Sequence, residues 1–494
     1  MKYKIICFFL LVTAADGLYC SDHDAGPVSL VNPFIGTGGH GHTYPGAAMP
    51  FGMVQLSPDT RLFGWDGCSG YHYSDSVIYG FSHTALSGTG IPDYGDILVM
   101  PRTGELMLQN GYGKNPEQGY GSQFEKRSEK ASPGYYRVFL SDYNIDAELT
   151  VTCRAGFHRY TFPKDKKSHI LIDLKHRDTV LDSKMTIVSS REVEGFRRSN
   201  AWATDQRVYF VARFSRPFAS GVIAVDDTLR ESITAARGKN IKGVFRFPTA
   251  AEEKILVKVG ISAVSIEGAR KNLEKEITDW NFDRIQQQAG AEWNRELGRI
   301  EFSGGSRADL TKVYTALYHA FLAPNTFMDV DGRYRGTDLD IHRADDYTHY
   351  TVFSLWDTFR AAHPLYTIVQ QERTIDFIRT FLSQYEQGGQ LPVWELAANY
   401  TGCMIGYHSI PVITDAYMKN LRDYDVEKVF TAMKHSAGQD HLGQTVLQGL
   451  LDPPLQRPGA IGRIVTRIRQ PLLGIGVQLQ RDVSRCQALL QPAK

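Results

Sequence analysis

The spacing of the apolar residues changes at about residue 266, and this change constrains the fold more than any other feature of the sequence. Before it, apolar and polar residues alternate in many short runs bounded by turn residues, as at Tyr135–Leu140 and Ile145–Cys153. Alternation of this kind predicts antiparallel strands stacked as a sandwich. After it, apolar residues such as Leu273 and Ile277 recur at near-helical spacing among charged residues. The sequence therefore predicts a multi-domain protein of the β plus α class.

Three domains are expected: a β-sandwich over residues 28–265, linker helices over 266–305 and a helical array over 306–440. Successive helices joined by loops, with no strands between them, are typical of an α-toroid. Helices of the array are expected at Leu310–Phe321, Val352–Ala362 (ended by Pro364), Thr374–Tyr385, Ile413–Leu421 and Val426–Lys434.

The first 19 residues have the pattern of a secretory signal peptide. Lys2 and Lys4 precede the apolar run IICFFLLV, and small residues follow it. We therefore expect an exported protein, located in the periplasm, at the cell surface or in the medium. A lipid anchor at Cys20 is a weaker alternative, because the residues before this cysteine do not form the Leu-small-small box that lipidation needs.

Charge and cysteine content exclude several classes of protein. The 55 lysines and arginines balance 54 acids, for a net charge of +1, whereas nucleic-acid binders usually carry a strong basic excess. The six cysteines include no CxxC pair, which excludes the common zinc spacings and a thioredoxin motif. Beyond the signal, no apolar run reaches the ~18 residues of a membrane-spanning helix. We expect a soluble mature protein without a transmembrane segment or nucleic-acid partner.

Two glycine-rich segments of the β part are candidates for function. In the first, which lacks the ending of a P-loop, His40 and His42 could ligate a metal. A histidine pair at this spacing is a weak signal by itself, and a tight glycine-shaped loop is the alternative. In the second, GWDGCSGYHYSD, Trp65 could stack on a sugar while Asp66 accepts hydrogen bonds from its hydroxyls. The alternative is a core position for Trp65 and a turn position for Asp66.

The segment SLWDTFR in the helical part combines an aromatic and an acidic residue. Trp356 and Asp357 together could hold a sugar, the ring as an apolar floor and the carboxylate as acceptor for two hydroxyls. The alternative is an ion pair at the surface between Asp357 and Arg360, which share a helix face.

The segment LPVWELAANYTGCMIGYHS holds the strongest candidate for catalysis. Glu395 lies between Trp394 and Leu396, and an apolar setting raises the pKa of a carboxyl, as a general acid at neutral pH requires. The alternative is a charge that stabilises the N-terminus of a helix. Asn399-Tyr400-Thr401 also matches a glycosylation sequon.

Taken together, these segments resemble glycoside hydrolase family 92, the calcium-dependent, inverting exo-α-mannosidases. The matching pieces run in family order over about residues 28–440: VNPFIGTGGHGHTYPGAAMPFGMVQLSPDT, GWDGCSGYHYSD, GFSHTALSGTG, YTALYHAFLAPNTF, SLWDTFRAAHPL and LPVWELAANYTGCMIGYHS. The resemblance implies an N-terminal β-sandwich, linker helices and an (α/α)6 barrel. It also implies a calcium ion and, as substrates, mannose-containing glycans with α-1,2-type linkages.

The resemblance assigns roles to individual residues. It implies that Glu395 is the general acid and that Trp356 and Asp357 contact the terminal mannose. Asp66 and Cys68, in the loop of the sandwich, are weaker candidates for contact with the same sugar. Calcium would hold O2 and O3 of the mannose and assist distortion of its ring, and the resemblance places its ligands on no particular residue here.

The general base that the family implies has no counterpart in this sequence. In the family it is an Asp in a later segment similar to GNDDCGQMSAW, whereas here the resemblance stops after KHSAGQDHLG. Residues 441–494 contain six Arg, one Lys, two acids and no aromatic residue, although 11% of the whole chain is aromatic. We expect this anomalous tail to be out of frame, the barrel to be incomplete and the chain to be inactive. Translation of the downstream DNA in the other two frames tests this hypothesis.

Two other functions stay open at this point. A non-catalytic carbohydrate-binding or surface protein would keep the sandwich and its sugar-facing loops, and its mannose binding would survive Glu395→Gln. A different glycosidase or a phosphorylase on the same scaffold would prefer another sugar or cleave in a phosphate-dependent way.

Overall fold

The computed structural model describes residues 26–113 and 118–438. The signal peptide with Cys20 and the tail over 441–494, both expected from the sequence, lie outside these described residues. Within them, two large antiparallel sheets precede a mainly helical region. The prediction of a β-sandwich followed by helices is confirmed.

The first sheet of the sandwich has eight strands. In spatial order they are β1 (Ala47–Ala48), β2 (Gln55–Asp59), β4 (Gly80–Ser82), β5 (Leu98–Arg102), β11 (His169–Asp173), β18 (Ile241–Arg246), β15 (Ser220–Val225) and β16 (Thr228–Arg230). Two further strands, β3 (Val77–Ile78) and β6 (Ser122–Gln123), form a separate antiparallel pair.

The second sheet has nine strands and faces the first across an apolar core. In spatial order they are β17 (Ala235–Gly238), β12 (Thr179–Ser189), β13 (Glu192–Asn200), β14 (Gln206–Phe214), β19 (Glu253–Ser262), β10 (Ala155–Phe162), β9 (Ile145–Val151), β8 (Tyr135–Leu140) and β7 (Lys130–Ser132). Alternate residues from both sheets, such as Val99 and Ile170 from one and Tyr160 and Val257 from the other, are fully buried in this core. Period-2 runs of the sequence correspond to strands such as β8, in which one face is buried.

The described residues form eight α-helices, which do not close into a ring. They are α1 (Ile266–Glu276), α2 (Phe282–Leu297), α3 (Arg307–Ala320), α4 (Leu355–Thr358), α5 (Ala362–Val369), α6 (Gln371–Gly388), α7 (Ser409–Met418) and α8 (Val426–Gly438). The first two pack against the second sheet, where Leu273 and Ile277 contact the buried Phe157 cluster. The Trp293 indole N–H of α2 donates to the carbonyl of Ala48, with 2.7 Å between nitrogen and oxygen.

Short strands interrupt the helices, so the expectation of helices without intervening strands is wrong. They are β20 (Asn325–Thr326), β21 (Arg333–Arg335), β22 (Ile341–Arg343), β23 (Tyr350–Thr351), β24 (Phe353–Ser354), β25 (Trp394–Leu396) and β26 (Asn399–Tyr400). Each is only two or three residues long, too short to show an alternating pattern in the sequence.

The helix expected over Val352–Ala362 is also wrong. Its first residues form β24, α4 has only four residues, and Pro364 lies inside α5 rather than ending a helix. Pro364 is the third residue of α5, where a backbone N–H has no partner within the helix, so proline is tolerated there.

A separate apolar cluster joins the sandwich to the helical region. Its buried members include Leu86, Ile91, Tyr94 and Ala203 from the sandwich and Val352, Trp394, Leu396, Ala397 and Ala398 from the helical region. The strand that carries Glu395 therefore lies directly at the contact between the two domains.

Candidate active site

Glu395 is the central residue of a three-stranded sheet rather than a residue of a helix. It lies on β25, where it pairs with Phe353 of β24 and with Tyr400 of β26. Its side chain is almost fully buried, with 1% of the residue exposed. The alternative of a carboxylate at a helix N-terminus is therefore wrong.

Two hydrogen-bond donors hold the Glu395 carboxyl in place. The Thr351 hydroxyl lies 2.8 Å from Oε1 and 3.0 Å from Oε2, and the backbone N–H of Ala398 donates to Oε1 at 2.7 Å. The Thr351 oxygen in turn accepts from the backbone N–H of Ala397 at 2.7 Å. This arrangement fixes the carboxyl group in one orientation.

Burial raises the pKa of Glu395 to about 7, while the hydrogen bonds from Thr351 and Ala398 act in the opposite direction. Burial disfavours the charged form, and donors to the carboxylate favour it. The carboxyl therefore keeps its proton up to neutral pH, and its conjugate base has donors ready when the proton leaves. These are the properties of a general acid.

The backbone around Glu395 is strained. Val352, Ala397 and Ala398 have φ angles of 65°, 49° and 65°, in the left-handed region that non-glycine residues rarely occupy. Val352 is β-branched, which makes this conformation especially unfavourable. Strain of this kind persists only where surrounding contacts impose it, and it concentrates at functional sites.

Trp356 and Asp357 lie on α4, which begins directly after β24, the strand paired with that of Glu395. Trp356 is 38% exposed, and its ring meets that of His408 edge to face with 5.1 Å between centroids. Asp357 accepts a hydrogen bond from the Ser354 hydroxyl at 2.6 Å, instead of pairing with Arg360 as the alternative interpretation required. The structure thus brings Trp356, Asp357 and the strand of Glu395 together, with the Trp356 side chain partly exposed.

Asn399, which the sequence presented as a glycosylation sequon, has a structural role. Its side chain accepts from the backbone N–H of Asp205 at 3.0 Å and from the Thr204 hydroxyl at 3.3 Å. It also donates to the carbonyls of Asp205 and Ala397 at 3.3 and 2.7 Å. This buried amide ties the loop after Glu395 to the sandwich.

The sandwich approaches Glu395 through Tyr94. Burial, and then the charge of Glu395, raise the pKa of the Tyr94 phenol well above its usual value. Sequence reasoning missed Thr351, Tyr94 and the structural role of Asn399. Thr351 lies three residues before SLWDTFR and Asn399 four after Glu395, so proximity to the two motifs was the only available signal.

Asp66 and Cys68 lie in another loop of the sandwich, and their hydrogen bonds stay within neighbouring loops. Cys68 is buried, its thiol donates to the carbonyl of Trp65 at 2.8 Å, and burial raises its pKa. Trp65 is 59% exposed and is not a core residue. The Asp66 carboxylate lies 2.6 Å from Nδ1 of His40, and this hydrogen bond lowers the pKa of Asp66.

One group in the described part of the chain brings three metal-ligating side chains together. The ligand atoms of His40, His42 and Asp66 all lie within 4.8 Å of one another. Calcium takes six to eight oxygen ligands, whereas this group offers two imidazole nitrogens and one carboxylate. It does not fit the calcium ion that the resemblance implies.

Comparison with family models identifies two matching regions. Residues 30–262 match the glycosyl hydrolase family 92 N-terminal domain, and residues 268–457 match the glycosyl hydrolase family 92 catalytic domain. A curated relative described as an uncharacterized secreted glycosidase, from Arthroderma benhamiae, is 24% identical in an alignment of 432 residues that covers 82% of this chain and 51% of the relative. No helix of the described residues has the length and apolarity to cross a membrane.

Solved structures of family GH92 are similar over most of the chain. An α-mannosidase of Bacteroides thetaiotaomicron, in complex with mannoimidazole, superposes with a TM-score of 0.82 at 39% identity, covering 85% of this chain and 57% of that one. An inverting mannosidase of the same organism superposes with a TM-score of 0.76 at 30% identity, covering 84% and 56%. The chain thus spans between half and three fifths of the length of these relatives.

Proposed function

Because the chain belongs to glycosyl hydrolase family 92, we propose that it contributes to an inverting exo-α-mannosidase in which Glu395 is the general acid. The observation that carries this proposal is the buried Glu395 carboxyl, whose pKa burial raises to about 7. A carboxyl in this state is protonated under neutral and mildly acidic conditions. Glu395 lies on β25, which pairs with β24, and β24 is followed by α4 with Trp356 and Asp357.

The proposed chemistry is transfer of one proton to the leaving group. The O–H of Glu395 protonates the glycosidic oxygen as its bond to C1 breaks, so that the remaining glycan leaves as an alcohol. The hydroxyl of Thr351 and the N–H of Ala398 then stabilise the carboxylate that remains. In inverting enzymes water attacks C1 from the opposite face, activated by a second carboxylate ~6.5–9.5 Å from the acid.

We propose that the terminal mannose lies against Trp356, with its hydroxyls donating to Asp357. The ring of Trp356 is exposed and held at a fixed angle by His408, so it offers an apolar face at low entropic cost. Asp66 and Cys68 are proposed as further contacts from the sandwich side. Terminal mannose of exported or cell-surface glycans, in α-1,2-type linkage, is the proposed substrate, and export to the periplasm or cell surface is the proposed location.

We propose that calcium, if it binds, is held by oxygen ligands outside the group of His40, His42 and Asp66. The described residues bring together no cluster of carboxylates that would bind it, and no step above depends on it. Binding of mannoimidazole in the presence of EGTA, and again after addition of Ca2+, tests the requirement. Equal affinity in both conditions would remove calcium from the proposal.

We further propose that the 494 residues supply the acid but no base. The sequence contains no segment similar to the one that bears the base in the family. The chain should therefore bind the transition-state mimic mannoimidazole but release no mannose from α-1,2-mannobiose in water.

Isothermal titration calorimetry and a mannose-release assay together test these proposals. We expect saturable binding of mannoimidazole and no detectable binding of its glucose-configured analogue, the matched control that differs at C2. Equal binding of the two analogues would contradict a mannose site. Catalytic release of mannose in water would contradict the absence of a base.

A further inference from the structure

His42 is the most constrained member of the group formed by His40, His42 and Asp66. Its Nδ1 lies 2.9 Å from the carbonyl oxygen of Thr89. A carbonyl only accepts hydrogen bonds, so Nδ1 carries a proton, and in the neutral imidazole Nε2 presents a lone pair. The residue is 8% exposed, and Nε2 is buried without a hydrogen-bond partner.

The unpartnered nitrogen of His42 faces the carboxylate of Asp66. Nε2 lies 3.5 Å from Oδ1 of Asp66, and Nδ1 of His40 lies 2.6 Å from the same oxygen. A lone pair turned toward a carboxylate oxygen is unfavourable unless a proton or a metal cation lies between them. A buried polar atom without a partner is a place where a water molecule or an ion can bind.

The surrounding loops hold His42 in this orientation. Its ring contacts that of Trp65 edge to face at 4.8 Å between centroids, and its carbonyl accepts from the N–H of Gly88 at 2.8 Å. In metal sites, a histidine that ligates through one ring nitrogen usually donates a hydrogen bond from the other nitrogen to a carbonyl or carboxylate, which orients the ring. The contact of His42 Nδ1 with the Thr89 carbonyl is of this kind. His40, in contrast, is exposed and can move to complete a ligand set.

We propose that His40, His42 and Asp66 bind a divalent transition-metal ion of the Zn2+ class. Two imidazole nitrogens and one carboxylate oxygen suit Zn2+, Co2+, Ni2+ or Cu2+ rather than Ca2+ or Mg2+. Tetrahedral bonds of about 2.0–2.1 Å place ligand atoms roughly 3.3 Å apart, close to the 3.5 Å between His42 and Asp66. Rotation of the exposed His40 ring supplies the third ligand, and water completes the set.

This site shares Asp66 with the proposed mannose contacts of the sandwich, but its test measures metal binding alone and needs no substrate. The full chain, purified without a histidine tag and freed of metal with a chelator, is titrated with Zn2+ by calorimetry and with Co2+ by visible absorption. We expect one Zn2+ per chain, and for Co2+ the stronger d–d bands of a tetrahedral complex in place of those of the hexaaquo ion.

Substitutions at the exposed side of the site provide the decisive comparison. His40→Ala and Asp66→Asn should each weaken Zn2+ binding at least ~10–100-fold, as loss of even an outer-shell partner does elsewhere. His342→Ala is the matched control, since His342 forms an exposed pair with Asp338 at 2.9 Å, and no third ligand joins them among the described residues. Circular dichroism confirms that each variant is folded.

Several results would overturn the proposal. One is Zn2+ affinity that stays within twofold of the wild type in both His40→Ala and Asp66→Asn. Another is an equal loss in His342→Ala. A third is Zn2+ uptake without a saturable one-to-one site, which would show only adventitious binding to surface histidines.

Discussion

The substitution Glu395→Gln should remove a pH dependence of stability that the buried carboxyl creates. Burial raises the pKa of Glu395 from its ordinary 4.5 to about 7. Below pH 4.5 the carboxyl is protonated in both the folded and the unfolded chain, and it adds no pH dependence. Between pH 4.5 and 7 the folded chain keeps the proton that the unfolded chain loses, so the free energy of unfolding falls as the pH rises.

The size of the effect follows from the two pKa values. At about 1.4 kcal/mol for each pH unit, the interval from 4.5 to about 7 corresponds to about 3 kcal/mol. Glutamine has nearly the same shape but no ionisable group. Its amide meets the Thr351 hydroxyl and the Ala398 N–H less well than the carboxyl does, and this mismatch is the same at every pH, so it cancels when two pH values are compared.

Urea unfolding followed by tryptophan fluorescence measures the effect. The wild-type free energy of unfolding minus that of Glu395→Gln should fall by about 3 kcal/mol between pH 4 and pH 8, mostly between 4.5 and 7. Glu372→Gln, which changes an exposed carboxyl at the start of α6, is the control and should follow the wild type. A difference between the wild type and Glu395→Gln that is constant over this range would refute the reasoning.

Three further substitutions probe the same site. Thr351→Val should lower the free energy of unfolding by ~1–3 kcal/mol, because it removes a buried donor and acceptor, and should raise the pKa of Glu395 in a pH titration of stability. Asn399→Ala should destabilise by a similar ~1–3 kcal/mol in urea unfolding, since four buried hydrogen bonds are lost; an unchanged midpoint would contradict its tethering role. Trp356→Ala should weaken mannoimidazole binding by about 1 kcal/mol, or roughly fivefold, in calorimetry. Trp280→Ala, at 37% exposure, should leave that binding unchanged.

The sandwich could be predicted from the sequence because strands such as β8 and β13 alternate buried and more exposed residues, and others are continuous apolar runs. The alternating run at Tyr135–Leu140 became β8, and apolar runs beginning at His169, Arg207 and Ile255 lie in β11, β14 and β19. Burial of one face imposes period 2 on such strands. The prediction of a helix over Val352–Ala362 was wrong, because the pairing of β24 with β25 overrides the helical pattern of the sequence there.

The candidate site could be predicted only in part. Glu395 has large apolar neighbours in the sequence, so its burial and raised pKa could be anticipated. Its hydrogen-bond partner Thr351 lies 44 residues away in the chain, and only the fold brings the two together. His40 and His42 were noted in the sequence, but their third partner, Asp66, lies 26 residues from His40, and no spacing rule connects them.

The most direct test of the central claim is a chemical rescue that needs the acid but not the base. In azide, which attacks C1 without a base, the wild-type chain should convert α-1,2-mannobiose to β-mannosyl azide, identified by NMR. Glu395→Gln should form this product at least ~100-fold more slowly than the wild type. It should still react with 2,4-dinitrophenyl α-mannoside, whose leaving group needs no proton. Equal rates for the two proteins on mannobiose, or an α-configured azide, would contradict Glu395 as the general acid of an inverting mannosidase.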